Sequence, residues 1–168
     1  MLSNEGFELE PFAIQEKEIP QDAPDEIVSE KARDLLAFWN QNASNQRTPT
    51  RSDFSPQNLG DWFEDIAIFE YVPAKDDFQI VLEGERIAAL TGEDWRGGFA
   101  REIDSQFSTS LNATMTLVRT TGQPQVHHLK VFKNDWQNAI RLLLPVLLQK
   151  PGKEDVLQIF LAVFPIDQ

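Results

Sequence analysis

The sequence of 168 residues contains no cysteine. That absence removes disulfides, zinc–thiolate sites, iron–sulfur clusters and any cysteinyl-linked flavin or other chromophore. Histidine is almost missing as well, with His127 and His128 the only two. They are neighbours in a segment that reads as a strand, where successive side chains point to opposite faces, so the pair cannot grip one ion. No predicted helix carries a histidine for a haem, and haem is not expected. No apolar run reaches the roughly 18 residues that span a bilayer, and the longest, Leu142 to Leu148, is interrupted by Pro145. Positive charge is scarce: 15 basic residues face 27 acidic ones, for a formal net charge of −12. The basic residues occur singly or in loose pairs, so nucleic acid and anionic membrane surfaces are disfavoured as partners. Met1 to Glu10 holds three glutamates and no basic residue. A secretory leader needs the opposite, and the expected location is the cytoplasm.

What is present is enough to build a core. Hydrophobic residues make up 41% and aromatics 10%, with 12 phenylalanines and four tryptophans, as in one folded domain. Residues 1–23 read as an acidic arm whose Phe7, Leu9, Phe12 and Ile14 either dock on the domain or a partner or stay disordered. Residues 24–47 form an N-terminal helix and connector. Val28, Ala32, Leu35, Leu36 and Trp39 fall at i, i+4, i+7, i+8 and i+11, which predicts a helix from about Pro24 to Asn40. That stripe serves either the core or a dimer contact.

Residues 48–168 hold the main domain. Ser55 caps a short helix with Pro56 at its first position. Strands over Asp65–Val72 and Phe78–Glu83 make a hairpin about the turn Pro73–Asp77, with Phe78, Ile80 and Leu82 on one face. A short helix runs over Glu85–Thr91 and ends at Gly92. A longer helix spans Ile103–Thr121, with Phe107, Leu111, Met115 and Val118 as its buried stripe. Strands follow over Val126–Lys133 and Asn138–Gln149, with a turn at Asn134-Asp135, and over Val156–Phe164. The last is apolar almost throughout and reads as central and covered on both faces. The order gives an α+β fold, an antiparallel sheet with the helices between strands two and three packed on one face.

Five features recur in one order: Leu35-Leu36-Ala37-Phe38-Trp39 on a helix; Pro49, Arg51, Asp53 and Pro56 in a connector; Phe78 to Glu83 entering Gly84; Ile87 to Leu90 closed by Thr91-Gly92; and Arg141-Leu142-Leu143-Leu144-Pro145 in a late strand. Together they resemble a family of small bacterial, largely alphaproteobacterial, PAS-like proteins, over about residues 30–165. Glu85, where the family more often has threonine, and Trp95 in the following loop depart from its pattern. The resemblance implies a five-stranded antiparallel sheet whose concave face, covered by helices, either holds a small molecule or pairs with another domain.

Candidate ligand-binding residues are Trp95, Met115 and Arg141. Trp95 and Met115 are possible cavity walls, with ordinary core packing as the competing reading. Arg141 facing inward could hold a ligand carboxylate or phosphate; facing outward it is a solvated strand residue, the reading preferred here. Nucleophilic catalysis lacks a Gly-x-Ser-x-Gly elbow, and Trp95-Arg96-Gly97-Gly98 lacks the lysine of a phosphate-binding loop, so it reads as a tight loop. Asp61, Glu64 and Asp65, and the pair Asp76-Asp77, read as solvated faces or caps. Glu83 and Asp155 sit at strand ends, which suits exposure. The expected function is a stand-alone, non-catalytic PAS-like sensory or interaction module in signalling, with no room for an output domain after Phe164. It would act through self-association or a signalling partner and could bind a small molecule; the cofactor is unknown. The alternatives are a ligand-free scaffold and a small acid–base enzyme on a curved sheet, which needs a buried carboxylate in the concavity.

Overall fold

A computed structural model describes residues 13–44, 47–132 and 136–166. The expected docking of Phe7, Leu9 and Phe12 and the turn at Asn134-Asp135 lie outside the described residues. Six strands form one sheet: β1 (Ile14–Glu18), β2 (Ile66–Val72), β3 (Asp77–Glu83), β4 (Gln125–Val131), β5 (Asn138–Leu148) and β6 (Val156–Pro165). Their order is β1-β4-β5-β6-β2-β3, and every neighbouring pair is antiparallel. The five expected strands are all present. The sixth, β1, comes from the segment read as an arm and adds to the free edge of β4.

Five α-helices accompany the sheet: α1 (Glu30–Asn42), α2 (Pro56–Leu59), α3 (Glu85–Thr91), α4 (Ala100–Phe107) and α5 (Leu111–Thr121). Ser55 caps α2 as expected, accepting the Asn58 N–H. α1 starts later than its apolar spacing indicates, because the Ser29 hydroxyl accepts the Ala32 N–H at 3.1 Å and sets the first turn. Pro24–Glu26 is a separate 3-10 turn, and Val28 falls outside the helix and is exposed. The single helix expected over Ile103–Thr121 is broken into α4 and α5. Ser108 adopts a left-handed conformation (φ 61°). The Asp104 carboxylate then accepts the Thr109 hydroxyl at 2.5 Å and the N–H groups of Leu111 and Asn112 at 2.6 and 2.9 Å. A carboxylate so placed caps a new helix start. Phe107, Leu111, Met115 and Val118 are buried all the same.

The strands carry apolar residues on both faces, so two apolar layers form. On one face Ile66, Ile68, Ile140, Leu142, Leu144 and Phe160 meet Leu35, Trp39 and Phe54. On the other, Phe69, Leu143, Ile159 and Leu161 meet Ile87, Leu111, Met115 and Val118 of the helices between β3 and β4. Helices α3 to α5 thus occupy one face, as anticipated, while α1 and the segment around α2 cover the opposite one. β6 is central and covered on both sides. Leu35 and Trp39, candidates for a dimer face, are spent on the chain's own sheet.

One irregularity decides what lines the concavity. Ile68 pairs with Leu82 but Phe69 pairs with Ile80, so Val81 is an extra residue in β3. Beyond such a bulge the alternation of faces is reset. Leu82 therefore packs toward the α1 layer, correcting the expectation that it shares a face with Phe78 and Ile80. Glu83 is turned toward α3–α5. The following Gly84 is held against Glu64, where an added Cβ would stand 2.5 Å from the Glu64 carbonyl oxygen. Only glycine allows two backbones so close.

Candidate functional site

Between the sheet and helices α3–α5 lies a cavity of about 100 Å³. At roughly 30 Å³ of liquid per water, that is room for a few waters or a small molecule. The sheet contributes Phe69, Ile80, Leu129, Leu161 and Val163, and the helices contribute Ile87, Leu90, Ile103, Phe107 and Leu111. β1 supplies Ile14, and Trp136 completes the apolar wall. The polar side chains on it are Glu83, Thr91, Trp95, Thr109 and Arg141.

Arg141 is only 3% exposed and faces this cavity. The preferred outward reading is thereby corrected: with α1 on the other face, neither side of β5 meets solvent. Its Nη1 lies 2.7 Å from Glu16 Oε2 on β1, and Glu16 Oε1 accepts the Ser110 N–H at 2.8 Å. Arg141 Nε and Nη2 are buried and have no hydrogen-bond partner among the described residues. Burial lowers the pKa of Arg141 while Glu16 and, more weakly, Asp104 raise it. A guanidinium starts so high that it stays charged.

Trp95 closes the far side of the cavity. Its ring meets Phe107 edge-on at 5.9 Å between centroids, and its buried indole Nε1 has no hydrogen-bond partner among the described residues. The loop carrying it is stitched to β3, Ile80 donating to the Gly98 carbonyl and Gly97 to that of Ile80. The glycine pair is thus a tight loop at the cavity rim. The Trp95 backbone N–H donates to Glu83 Oε1 at 3.2 Å. Burial, with help from Asp94, pushes the Glu83 carboxyl above its ordinary range against the opposing pull of that N–H and Arg96. Glu83 was expected to be exposed at a strand end; the bulge at Val81 is why it is not. Met115 is fully buried beside the sheet and does not line the cavity.

The acidic clusters are more structural than solvated. Asp65 is buried and ion-paired to Lys31 of α1 and Arg86 of α3, each at 2.7 Å. Asp77, also buried, accepts from the Phe78 N–H and from Asn112 Nδ2. The histidines face opposite ways, as their spacing requires. His128 meets Asn138 Oδ1 at 2.9 Å, while His127 is buried opposite Arg141. Among the described residues no group of three or more His, Asp or Glu is placed to hold a metal ion. No helix among them is long and apolar enough to cross a membrane.

Burial first, then the charge of Arg141, holds His127 down at about 4. Unfolded, it titrates near 6.5, so between these values the unfolded chain binds more protons. Stability that depends on neutral His127 is complete above pH 6.5 and is lost as pH falls toward 4. The loss is on the order of 3 kcal/mol, at about 1.4 kcal/mol per pH unit between the two values. Urea curves at pH 7 and 4.5 should show His127→Gln losing less stability on acidification than the parent; equal losses would place the acid sensitivity elsewhere.

A sheet in this order, with three short helices over its concave face and a small cavity between, is matched by a PAS domain family model over residues 27–160. The chain belongs to the PAS domain family. No curated protein and no solved structure matches it. Family membership makes it a sensory or interaction module of the signalling type. In this PAS domain the cavity wall gathers two of the three residues singled out from the sequence, Trp95 and Arg141. Glu16 and Glu83 were missed. Glu16 lies ahead of the residues matched to the PAS family, in Ile14-Gln15-Glu16-Lys17-Glu18, where nothing local marks one acid for burial.

Proposed function

We propose that this PAS domain binds a small ligand in the cavity between the sheet and α3–α5 and relays its presence to a protein partner. The observation that carries the reading is Arg141: a buried cation on an apolar wall, with one edge of its guanidinium unshared. Burying such a group without a full set of partners is costly, and sites that retain one usually have a use for it. Trp95 Nε1 is a second donor in the same wall, and the apolar remainder suits the body of a small molecule. Association with a partner protein is the output in this reading, as is usual for modules of this family.

Native mass spectrometry of the purified protein, set against its denatured mass, tests this directly, with thermal shifts against a panel of small neutral and anionic compounds. A retained mass, or a compound that stabilises by about 2.7 kcal/mol when present at about 100 times its dissociation constant, is expected. A bare mass with no shift across the panel points instead to a filled, ligand-free adaptor. A second reading, acid–base catalysis, gains support from Glu83, the buried carboxyl it needs. It requires a turnover that Glu83→Gln abolishes, whereas the sensory reading requires none.

A further inference from the structure

We infer that Glu16 on β1 is an internal occupant of an anion site on Arg141, and that a small monocarboxylate entering the cavity competes with it and loosens β1 from the sheet. The inference rests on the cavity being a ligand site and goes further in naming the ligand class and what its arrival changes.

The ligand class follows from the shape of the guanidinium. Nη1 is taken by Glu16. Nε and Nη2, both without a partner among the described residues, carry the parallel N–H bonds of its side edge. That fork matches the two oxygens of a carboxylate. Around it the wall is apolar, with Ile14, Phe69, Leu129 and Val163, and the cavity of about 100 Å³ admits only a short tail. Arg141 is the only basic side chain on that wall. One cation already shared with Glu16 suits a single negative charge and not a phosphate dianion.

The competition follows from charge. A ligand carboxylate on the free edge puts a second anion beside Glu16 on the same guanidinium, in surroundings where like charges repel far more strongly than in water. Glu16 is the member of the pair that can leave. β1 has five residues, pairs with β4 on one side only, and forms the sheet edge. Three of its residues, Gln15, Lys17 and Glu18, are exposed. What ties β1 inward is Ile14 on the cavity wall and Glu16, held by Arg141 and the Ser110 N–H. Edge elements with so few buried contacts open at the low end of the stability range. Weakening the Glu16 contact therefore acts on the element least able to resist.

The test uses the full chain with acetate, propionate and butyrate, butyramide as the neutral analogue and inorganic phosphate as the rival anion. Binding is read by calorimetry, and amide exchange is followed at residues 14–18. A monocarboxylate is expected to bind where butyramide and phosphate do not, and to speed exchange in β1 at least tenfold at saturation. Glu16→Gln should bind the same carboxylate at least tenfold more tightly, with β1 already exchanging faster before ligand is added. Glu16→Asp, which shortens the reach, should move both readouts the same way and serves if the glutamine variant does not fold. Equal affinities in parent and variants, or unchanged β1 exchange at saturation, overturn the competition and leave the ligand site standing. Binding of butyramide or phosphate but of no carboxylate overturns the ligand class alone. A bare native mass with no binding by any compound overturns both this inference and the ligand-site reading beneath it.

Discussion

Replacing Arg141 with methionine is expected to destabilise the domain by about 3–5 kcal/mol, the usual cost of removing one partner from a buried ion pair. Methionine keeps much of the side-chain volume, so the effect isolates the charge. Glu16 would keep the Ser110 N–H but lose its cation. At about 2–4 °C of melting temperature per kcal/mol for a chain of this size, the midpoint should fall by roughly 10 °C. Combining Arg141→Met with Glu16→Gln should recover most of the loss, because replacing a whole buried pair with neutral groups is often near neutral. Urea denaturation of the two single variants and the double variant measures the coupling. A loss below about 1 kcal/mol in Arg141→Met would show the pair behaving like an exposed one and would weaken every role assigned to it above.

Trp39→Ala should be comparably severe. Trp39 is buried at 4% exposure, and its indole N–H donates to the Pro145 carbonyl at 2.8 Å. Truncating a buried tryptophan costs about 3–5 kcal/mol. Trp39→Phe keeps the ring but leaves that buried carbonyl without its donor, for about 1–3 kcal/mol. Denaturant midpoints together with size-exclusion profiles separate this from a dimer role. A Trp39 at a subunit contact would change the elution volume and leave the protomer's stability nearly intact. The structure requires the opposite outcome, since the tryptophan joins α1 to β5 of its own chain.

The elements that sequence made legible are those fixed by local chemistry. Ser55-Pro56 starts α2, Gly92 stops α3, and the apolar run of β6 marks a central strand. What escaped depended on contacts from afar or on parity. The break between α4 and α5 comes from Asp104 turning its carboxylate onto backbone three to eight residues ahead, with no glycine or proline to announce it. β1 reads as polar because it is an edge strand, with its alternation spread over only five residues. Arg141 could not be oriented by alternation, since alternation separates buried from solvated only where one face is solvated. In β5 both faces are covered, by α1 on one side and α5 on the other, so every residue from Ala139 to Val146 is buried. The candidate site was therefore half visible: Trp95 and Arg141 stood out by residue type, while Glu16 and Glu83 became site residues through pairing and register.

The extra residue at Val81 makes strand length a chemical variable. Deleting it would leave every side chain of the cavity wall in the chain, yet the restored alternation would carry Glu83 to the α1 side and bring its neighbour round in its place. The same deletion would draw Gly84 away from Glu64, where no other residue fits. Whether this wall presents an acid is thus decided by counting along β3, and a change of one in that count can alter what the cavity accepts without substituting a single residue that touches it.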